Sequence, residues 1–233
     1  MRADDILTLA AKDSARPVLL AGPTASGKSS LALRIAQDQG RAVVNADAIQ
    51  VFENWRILTA RPSVADEARA PHHLYGHVPG DAPYSVGTWL RDIAPLLDAI
   101  PAPIPAPPPA TPDATRRTAL ARLERGELSQ MIAELDAPTR ARIDTANPMR
   151  VQRAWEVLQS TGRGLANWQD STDPPRLPLS QAIAIVIDAP KDWLTPRIEQ
   201  RFDQMLAEGA LEEARATLDT WDPRHPSSKA IGA

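Results

Sequence analysis

The sequence is short of three things, and each absence removes a class of protein. It contains no cysteine among 233 residues, which excludes disulfide bonds and metal sites built on thiolates. No apolar run is long enough to cross a bilayer, which argues against a membrane protein. The formal net charge is −3, so binding of nucleic acid by charge over the whole surface is disfavoured. The N-terminal residues also lack the apolar core of a signal peptide, and we expect a cytoplasmic protein.

What the sequence does contain is a complete glycine-rich phosphate motif, G-x-x-x-x-G-K-[ST], at residues 22–29. The apolar run 17–21 before it predicts a buried strand, and apolar residues at helical spacing over 30–37 predict a helix after it. Strand, loop and helix N-terminus together predict a cradle of backbone amides around a phosphate. Lys28 is expected to reach the terminal phosphates, and Ser29 to bind Mg²⁺. The predicted phosphate-binding residues are Gly22, Pro23, Thr24, Ala25, Ser26, Gly27, Lys28 and Ser29.

The motif leaves the identity of the phosphate compound open, because a nucleoside triphosphate and a small-molecule diphosphate present similar oxygens. Asp47 adds a carboxylate to this region, since it follows a second predicted strand at 41–45. The carboxyl ends of parallel strands lie at the ligand-binding edge of an open α/β sheet, so we expect Asp47 to face the bound phosphates. Aspartate is also favoured as a helix N-cap, and the two roles are compatible.

Proline divides the predicted domains. Seven prolines fall within residues 101–112, which predicts an extended connector without regular hydrogen bonding. A second proline-rich break lies at 173–178. The predicted domains are an α/β core from residues 1–100 and 177–233, and a connector with a helical insertion over 101–176.

Helical patterns fill the predicted insertion over 113–135 and 148–161. The second helix has Asn147 as its N-cap and a proline at its first position. Arg150 and Arg153 lie three residues apart on one face of it, which indicates either a solvated surface or a contact with an RNA backbone.

The core pattern returns after the insertion, where 182–188 predicts a buried parallel strand. A long amphipathic helical region follows over 193–218, with a break at Gly209. Arg197 and Arg201 are four residues apart in it and project the same way.

Earlier in the chain, residues 53–84 are rich in loop signals and predict irregular structure. A helical pattern then covers 85–99, and Pro95 is expected to kink or end that helix.

Taken in order, these segments resemble the bacterial tRNA dimethylallyltransferases, also called tRNA isopentenyltransferases. The likeness runs from residue 17 to residue 233 with interruptions and implies an α/β fold: a P-loop NTPase-like parallel sheet flanked by helices, with a helical insertion. The matching segments are 22–29, 46–52, 59–62, 71–74, 83–85, 147–154, 161–162 and 197–206.

The resemblance implies an enzyme that moves a dimethylallyl group from dimethylallyl diphosphate to N6 of the adenine 3′ to the anticodon in tRNA. We expect the protein to be a monomer. It implies that Lys28, Ser29 and Mg²⁺ stabilise the leaving diphosphate and that Arg201 clamps it, while Asp47 accepts the proton of the amine. It further implies contacts with the flipped adenine or the anticodon stem-loop by Asp47, Ala48, Ile49, Gln50, Met149, Arg150, Val151, Gln152 and Arg153.

Two departures from the family pattern stand out. Ile100 runs directly into Pro101, where the family has an interior strand, a glycine-rich turn and a threonine that contacts the target nucleotide. The sequence also stops at Ala233, inside a motif that normally opens basic C-terminal helices. Loss of an interior strand leaves buried backbone groups without partners. We therefore expect either that other strands re-pair to close the sheet or that the chain is poorly folded alone.

Two other functions fit the same residues. A small-molecule kinase would use Lys28 and Asp47 on ATP and an acceptor hydroxyl. A non-catalytic remnant would bind nucleotides or tRNA without turnover.

Overall fold

Helices and short parallel strands make up the computed structural model, which describes residues 3–97, 111–172, 175 and 177–230. The stretch predicted as a proline-rich connector lies outside the described residues, except for 111 and 112. Among the helices that are described, none has the length and apolar character that crossing a membrane requires. In chain order the elements are α1 (Ala3–Ala11), β1 (Val18–Ala21), α2 (Lys28–Gln39), β2 (Val43–Val44), α3 (Val64–Glu67), β3 (His72–His73), α4 (Val86–Ile93), α5 (Asp113–Glu124), α6 (Leu128–Glu134), α7 (Ala137–Arg142), α8 (Pro148–Thr161), α9 (Leu165–Asp170), β4 (Ile183–Val186), α10 (Lys191–Ala207) and α11 (Ala210–Ala216).

The described residues form two compact units. Residues within 1–100 and 177–233 make up the first unit, and residues within 101–176 make up the second. The first therefore contains all four strands just named, while the second is helical.

Strands β1 and β4 form a parallel pair in the first unit, with Val18 opposite Ile183 and Ala21 opposite Val186. One face of this pair is open to solvent, since Leu19 is 41% exposed and Val186 is 76% exposed there. Helices therefore cover the strand pair on one side. The buried cluster on that side consists of Ile6, Ala10, Leu31, Ile35, Ile183 and Ile185.

The short strands β2 and β3 form a second parallel pair, with Val43 opposite His72 and Val44 opposite His73. Within the described residues this pair is not joined to the pair formed by β1 and β4. The expectation that other strands re-pair to close one sheet is therefore wrong. The alternative, that the chain is poorly folded alone, stays a prediction. The two histidines were also expected in irregular structure, and that expectation is wrong because they pair with β2.

In the first unit, the helices end or break where the sequence predicts it, at Pro95 and at Gly209. Helix α4 ends at Ile93, and a 3₁₀ turn over Ala94–Leu97 takes up Pro95. The long region after β4 is divided between α10 and α11 at Gly209, whose φ of +103° is left-handed. The sequence signals at Pro95 and Gly209 are local, and the chain follows them.

The second unit is built around α8, which begins at Pro148 as predicted and ends at Thr161 before Gly162. The Asn147 side chain accepts the backbone N–H groups of residues 149 and 150, and this caps the helix. The region predicted as one helix over 113–135 is two helices, α5 and α6, because Gly126 adopts a φ of +76° between them. Both helices pack on α8, and the buried residues of this core are Ala119, Met131, Leu135, Val151, Ala154 and Trp155.

Candidate active site

The glycine loop between β1 and α2 has a backbone that few residues tolerate. Ala25 and Gly27 have φ values of +60° and +87°. Gly22 has little room, because a Cβ placed there would lie 2.7 Å from the carbonyl oxygen of Ile187. The loop is therefore bent tightly against the end of β4, and Gly27 opens helix α2.

Donors on this loop are left without acceptors. In the part of the chain that the structure describes, no acceptor receives the backbone N–H groups of Gly27, Lys28 and Ser29, which we name the open amide group. The first N–H groups of any helix lack intrahelical partners, and here the positive end of the α2 dipole lies behind them. The Ser26 hydroxyl is buried without a partner as well. These donors suit an anion such as phosphate.

The Lys28 ammonium is folded onto its own loop. Its Nζ donates to the carbonyl oxygens of Gly22 at 2.8 Å and Pro23 at 2.7 Å. Burial lowers the pKa of Lys28, the nearby positive charge of Arg201 lowers it further, and the negative charge of Asp47 raises it. Arg201 and Asp47 are therefore each within electrostatic reach of Lys28.

Arg201 comes from α10 and is half-buried. Among the described residues it has neither an ion pair nor a side-chain hydrogen bond. Arg197, one turn earlier, has a different environment, since its guanidinium lies 4.1 Å from the ring centroid of Trp193. An unpaired guanidinium beside a half-buried ammonium is an electrostatic cost that a bound polyanion would relieve.

Asp47 lies in a hydrogen-bonded turn after β2. One carboxylate oxygen, Oδ1, accepts the backbone N–H of Ile49 at 2.8 Å and that of Gln50 at 3.2 Å. The turn does not continue into a helix, so Asp47 caps a turn and not a helix. Within the described residues no hydrogen bond occupies the second oxygen, Oδ2, and the residue is exposed. Asp47 is thus fixed at one oxygen and available at the other.

Gln50 ties this turn to a neighbouring loop. Its side-chain amide donates to the carbonyl oxygens of Thr59 at 2.8 Å and Ala60 at 3.2 Å. The donors of Gln50 are therefore used inside the protein, and only its Oε1 is left to contact a base.

The same loop is held from its other side by Glu213 on α11. The carboxylate accepts the backbone N–H groups of Arg56, Ile57 and Leu58 at 2.7 to 3.0 Å, and we name these three the filled amide group. This contact joins the C-terminal part of the first unit to the segment that carries Thr59.

In the second unit, the residues predicted to contact tRNA lie on both sides of α8. Met149 is 60% exposed, and Arg150 and Arg153 are also exposed. Val151 is fully buried in the core and Gln152 is 4% exposed. The side chains of Met149, Arg150 and Arg153 are therefore accessible to a partner. Those of Val151 and Gln152 are not.

A magnesium ion would find one protein ligand here. The Ser29 hydroxyl is exposed and, in the described chain, has no partner. No group of three His, Cys, Asp or Glu side chains among the described residues has the geometry to hold a metal. Mg²⁺ prefers oxygen ligands and usually binds through one or two protein groups plus substrate phosphates, so the residues fit an ion held together with a diphosphate.

Sequence reasoning missed two residues that shape the site, Asn45 and Glu213. Asn45 is 1% exposed and hydrogen-bonds to the backbone of Asp47. An asparagine two residues before an aspartate at a strand end is a turn signal that would have found it. No local signal marks Glu213, since its partners are more than 150 positions away in the chain.

Two family models match this chain. A family model described as isopentenyl transferase matches residues 16–73. A second, described as IPP transferase, matches residues 50–107 and 97–233. The two segments of the second match meet around Pro101, where the sequence departs from the family pattern.

Curated relatives are similar over almost the whole chain. A tRNA dimethylallyltransferase of Dinoroseobacter shibae is 54% identical over 245 aligned positions, which cover 98% of this chain and 82% of the relative. Because 245 exceeds the 233 residues of this chain, the alignment contains gaps in this chain. A tRNA dimethylallyltransferase of Cereibacter sphaeroides is 55% identical over 94% of this chain and 75% of the relative.

A solved structure of a eukaryotic dimethylallyltransferase that acts on tRNA has the same fold, with a TM-score of 0.62 and 19% identity. The match covers 88% of this chain and 56% of that one. None of these matches supports the alternative hypothesis of a small-molecule kinase. On the family models and the identity to curated relatives, this chain belongs to the tRNA dimethylallyltransferase family.

Proposed function

We propose that the chain transfers a dimethylallyl group from dimethylallyl diphosphate to N6 of the adenine 3′ to the anticodon of tRNA, acting as a monomer in the cytoplasm. The observation that carries the proposal is that Lys28 lies within electrostatic reach of both Arg201 and the Asp47 carboxylate, while among the described residues neither cation has a carboxylate partner in an ion pair. The two cations would stabilise the negative charge of the diphosphate, and the carboxylate would accept a proton from the amine.

The cations and the open amide group would stabilise the departing diphosphate. As the bond between the allylic carbon and the diphosphate oxygen breaks, negative charge grows on that oxygen. In our proposal Lys28, Arg201 and the N–H groups of residues 27–29 would donate to this charge, and preorganised donors of this kind lower such barriers. Lys28 donates to two carbonyl oxygens, and a diphosphate oxygen would replace these with a charged acceptor.

Asp47 would act as the general base. The N6 amine forms the new bond to the allylic carbon and must lose a proton, because it would otherwise carry a positive charge. Asp47 Oδ2 is the acceptor in our proposal, since Oδ1 already accepts two backbone N–H groups. The neighbouring Ala48 and Ile49 would border the adenine.

A bound Mg²⁺ would supply further positive charge to the diphosphate, with Ser29 as its protein ligand. Met149, Arg150 and Arg153 would contact the anticodon stem-loop, the two arginines through its phosphates. These contacts belong to the second unit and are proposed from its exposed side chains alone.

The test is incorporation of labelled dimethylallyl diphosphate into an anticodon stem-loop in the presence of Mg²⁺. Label should enter a stem-loop with adenine at the target position and should not enter one with hypoxanthine there, which lacks the N6 amine. Binding of both substrates without labelled product would indicate the non-catalytic remnant and would overturn the proposal.

The Asp47→Ala variant separates binding from chemistry. We expect its transfer rate to fall about 100-fold or more, in line with loss of a general base. Its affinity for inorganic diphosphate, measured by calorimetry, should stay close to that of the unaltered chain, because Lys28 and the open amide group are retained. A variant with most of the original rate would show that Asp47 is not the base.

A further inference from the structure

Asn45 is buried and uses all of its polar atoms. Its backbone N–H donates to the His73 carbonyl at 3.0 Å, and its own carbonyl accepts the Trp89 indole N–H at 2.8 Å. The side-chain Oδ1 accepts the Asp47 N–H at 2.8 Å. The side-chain Nδ2 donates to the carbonyl oxygens of Asp47 at 3.1 Å and Leu74 at 2.9 Å. Both N–H donors of the amide are thus used, and its oxygen accepts one hydrogen bond.

These contacts hold both peptide groups that flank Asp47. The N–H of Asp47 belongs to the peptide before it, and the carbonyl belongs to the peptide after it. Because the Asn45 amide binds both, the direction of the Cα–Cβ bond of Asp47 is fixed. The backbone amides of Ile49 and Gln50 then fix Oδ1, and Oδ2 follows from the geometry of the carboxylate.

Leu74 adds a second constraint. Its φ of +63° is a left-handed conformation that a leucine rarely adopts, and the Asn45 amide binds its carbonyl. The amide thereby links the Asp47 turn to a segment that follows β3. A substitution at Asn45 would therefore disturb both the Asp47 turn and the segment that carries Leu74.

We infer that Asn45 is a positioning residue for the transfer reaction, and that its side-chain amide aims Oδ2 of Asp47 at the amine of the target base. The inference rests on the proposed function, in which Asp47 is the base. Proton transfer needs donor and acceptor in hydrogen-bond contact, and a misplacement of about 1 Å is enough to cost about 100-fold in rate.

The most informative variant is Asn45→Asp, which keeps the size of the side chain and one acceptor oxygen. It removes both N–H donors and brings a carboxylate oxygen against the carbonyls of Asp47 and Leu74. When this new carboxyl group is protonated it regains one donor. The variant should therefore recover part of its rate as the pH is lowered, whereas the unaltered chain should not speed up.

Trp89→Phe is the matched control. It removes the indole hydrogen bond to the Asn45 carbonyl but leaves all three side-chain contacts of Asn45 in place. Both variants lose hydrogen bonds at the same buried residue. A role in stability alone would affect them alike.

The experiment compares kcat for dimethylallyl transfer with the Kd of inorganic diphosphate, using the full chain. For Asn45→Asp we expect kcat to fall about tenfold or more while Kd stays within about twofold, and Trp89→Phe should keep both values within about twofold. In the Asp47→Ala background, Asn45→Asp should cause no further loss, because the residue it positions is gone.

An Asn45→Asp variant that keeps its kcat within about twofold would overturn the inference, and so would an equal loss in both Asp47 backgrounds. If Asn45→Asp does not fold, Asn45→Ser, which retains a hydroxyl, is measured in its place, and an unchanged kcat again overturns the inference. Failure of the unaltered chain to transfer the group would instead refute the proposed function, so the two failures are distinct.

Discussion

Two groups of consecutive backbone amides in the first unit have the same chemistry and opposite occupancy. The open amide group, at residues 27–29, has no acceptor among the described residues. The filled amide group, at residues 56–58, receives the carboxylate of Glu213. The second group is a structural joint whose anion comes from the protein itself. In the described part of the chain the first has no internal anion, and Lys28 and Arg201 lie close by, which distinguishes a ligand site from a structural contact.

The largest effect on stability is expected from Glu213→Ala. The change leaves three N–H groups without their acceptor, and at roughly 1 kcal/mol each the free energy of unfolding should fall by about 3 kcal/mol. Denaturant unfolding measures this loss. The Kd of diphosphate should change little under conditions where the variant is folded. A stable variant would mean that water replaces the carboxylate at no cost.

Lys28→Ala tests the contribution of the ammonium to diphosphate binding and leaves the open amide group in place. Loss of a charged donor should weaken diphosphate binding by about 2 kcal/mol, or about thirtyfold in Kd. Transfer should fall along with it, since Lys28 acts on the leaving group. Calorimetry with inorganic diphosphate gives the affinity, and an unchanged Kd would refute the assignment of the cradle.

The pH dependence of diphosphate binding should report Lys28. The ammonium is needed for binding, so affinity falls as the pH rises through the pKa of Lys28. Burial and Arg201 lower this pKa, so the fall should begin below the ordinary lysine value of about 10.5. Asp47 raises the pKa, and Asp47→Asn should therefore shift the fall to lower pH. A shift to higher pH in a calorimetric titration series would contradict the arrangement of charges.

The smallest effect is expected from Glu212→Ala, which is the matched control for Glu213. Glu212 lies next to Glu213 on α11 but pairs with Arg215 on the surface, where both side chains are about 70% exposed. Exposed pairs contribute little, and the free energy of unfolding should change by about 0.5 kcal/mol or less. A loss as large as that of Glu213→Ala would show that the hydrogen bonds of Glu213 to the filled amide group are not what matters.

The parts of the fold that sequence predicts well are those with local signals. Helix α8 has its boundaries at Pro148 and Thr161 because Asn147 and Gly162 cap it. The strands β2 and β3 are different, since His72 and His73 are extended only by virtue of pairing with residues that precede them by 29 positions. Such pairing leaves no trace in the local pattern.

The same division applies to the site. Lys28 and Ser29 follow from a motif, and the closeness of Asp47 to Lys28 follows from the rule on strand ends. No sequence pattern predicts which backbone amides have an acceptor inside the protein, as the filled amide group does, and which do not. That Gln50 donates to Thr59 and Ala60, and that Gln152 is buried, depends on packing across distant segments. Roles assigned by motif alone therefore stay predictions at these positions.

The hydrogen bond from Trp89 gives the Asp47 turn a spectroscopic reporter. The chain has six tryptophans, and the Trp89 indole N–H is bound to the carbonyl of Asn45, whereas that of Trp55 is buried and has no partner among the residues that the structure describes. In a ¹H–¹⁵N spectrum the Trp89 indole resonance should move downfield relative to that of Trp55. Any disturbance of the turn, by mutation or by substrate, can then be followed in the resting protein, before a single turnover has taken place.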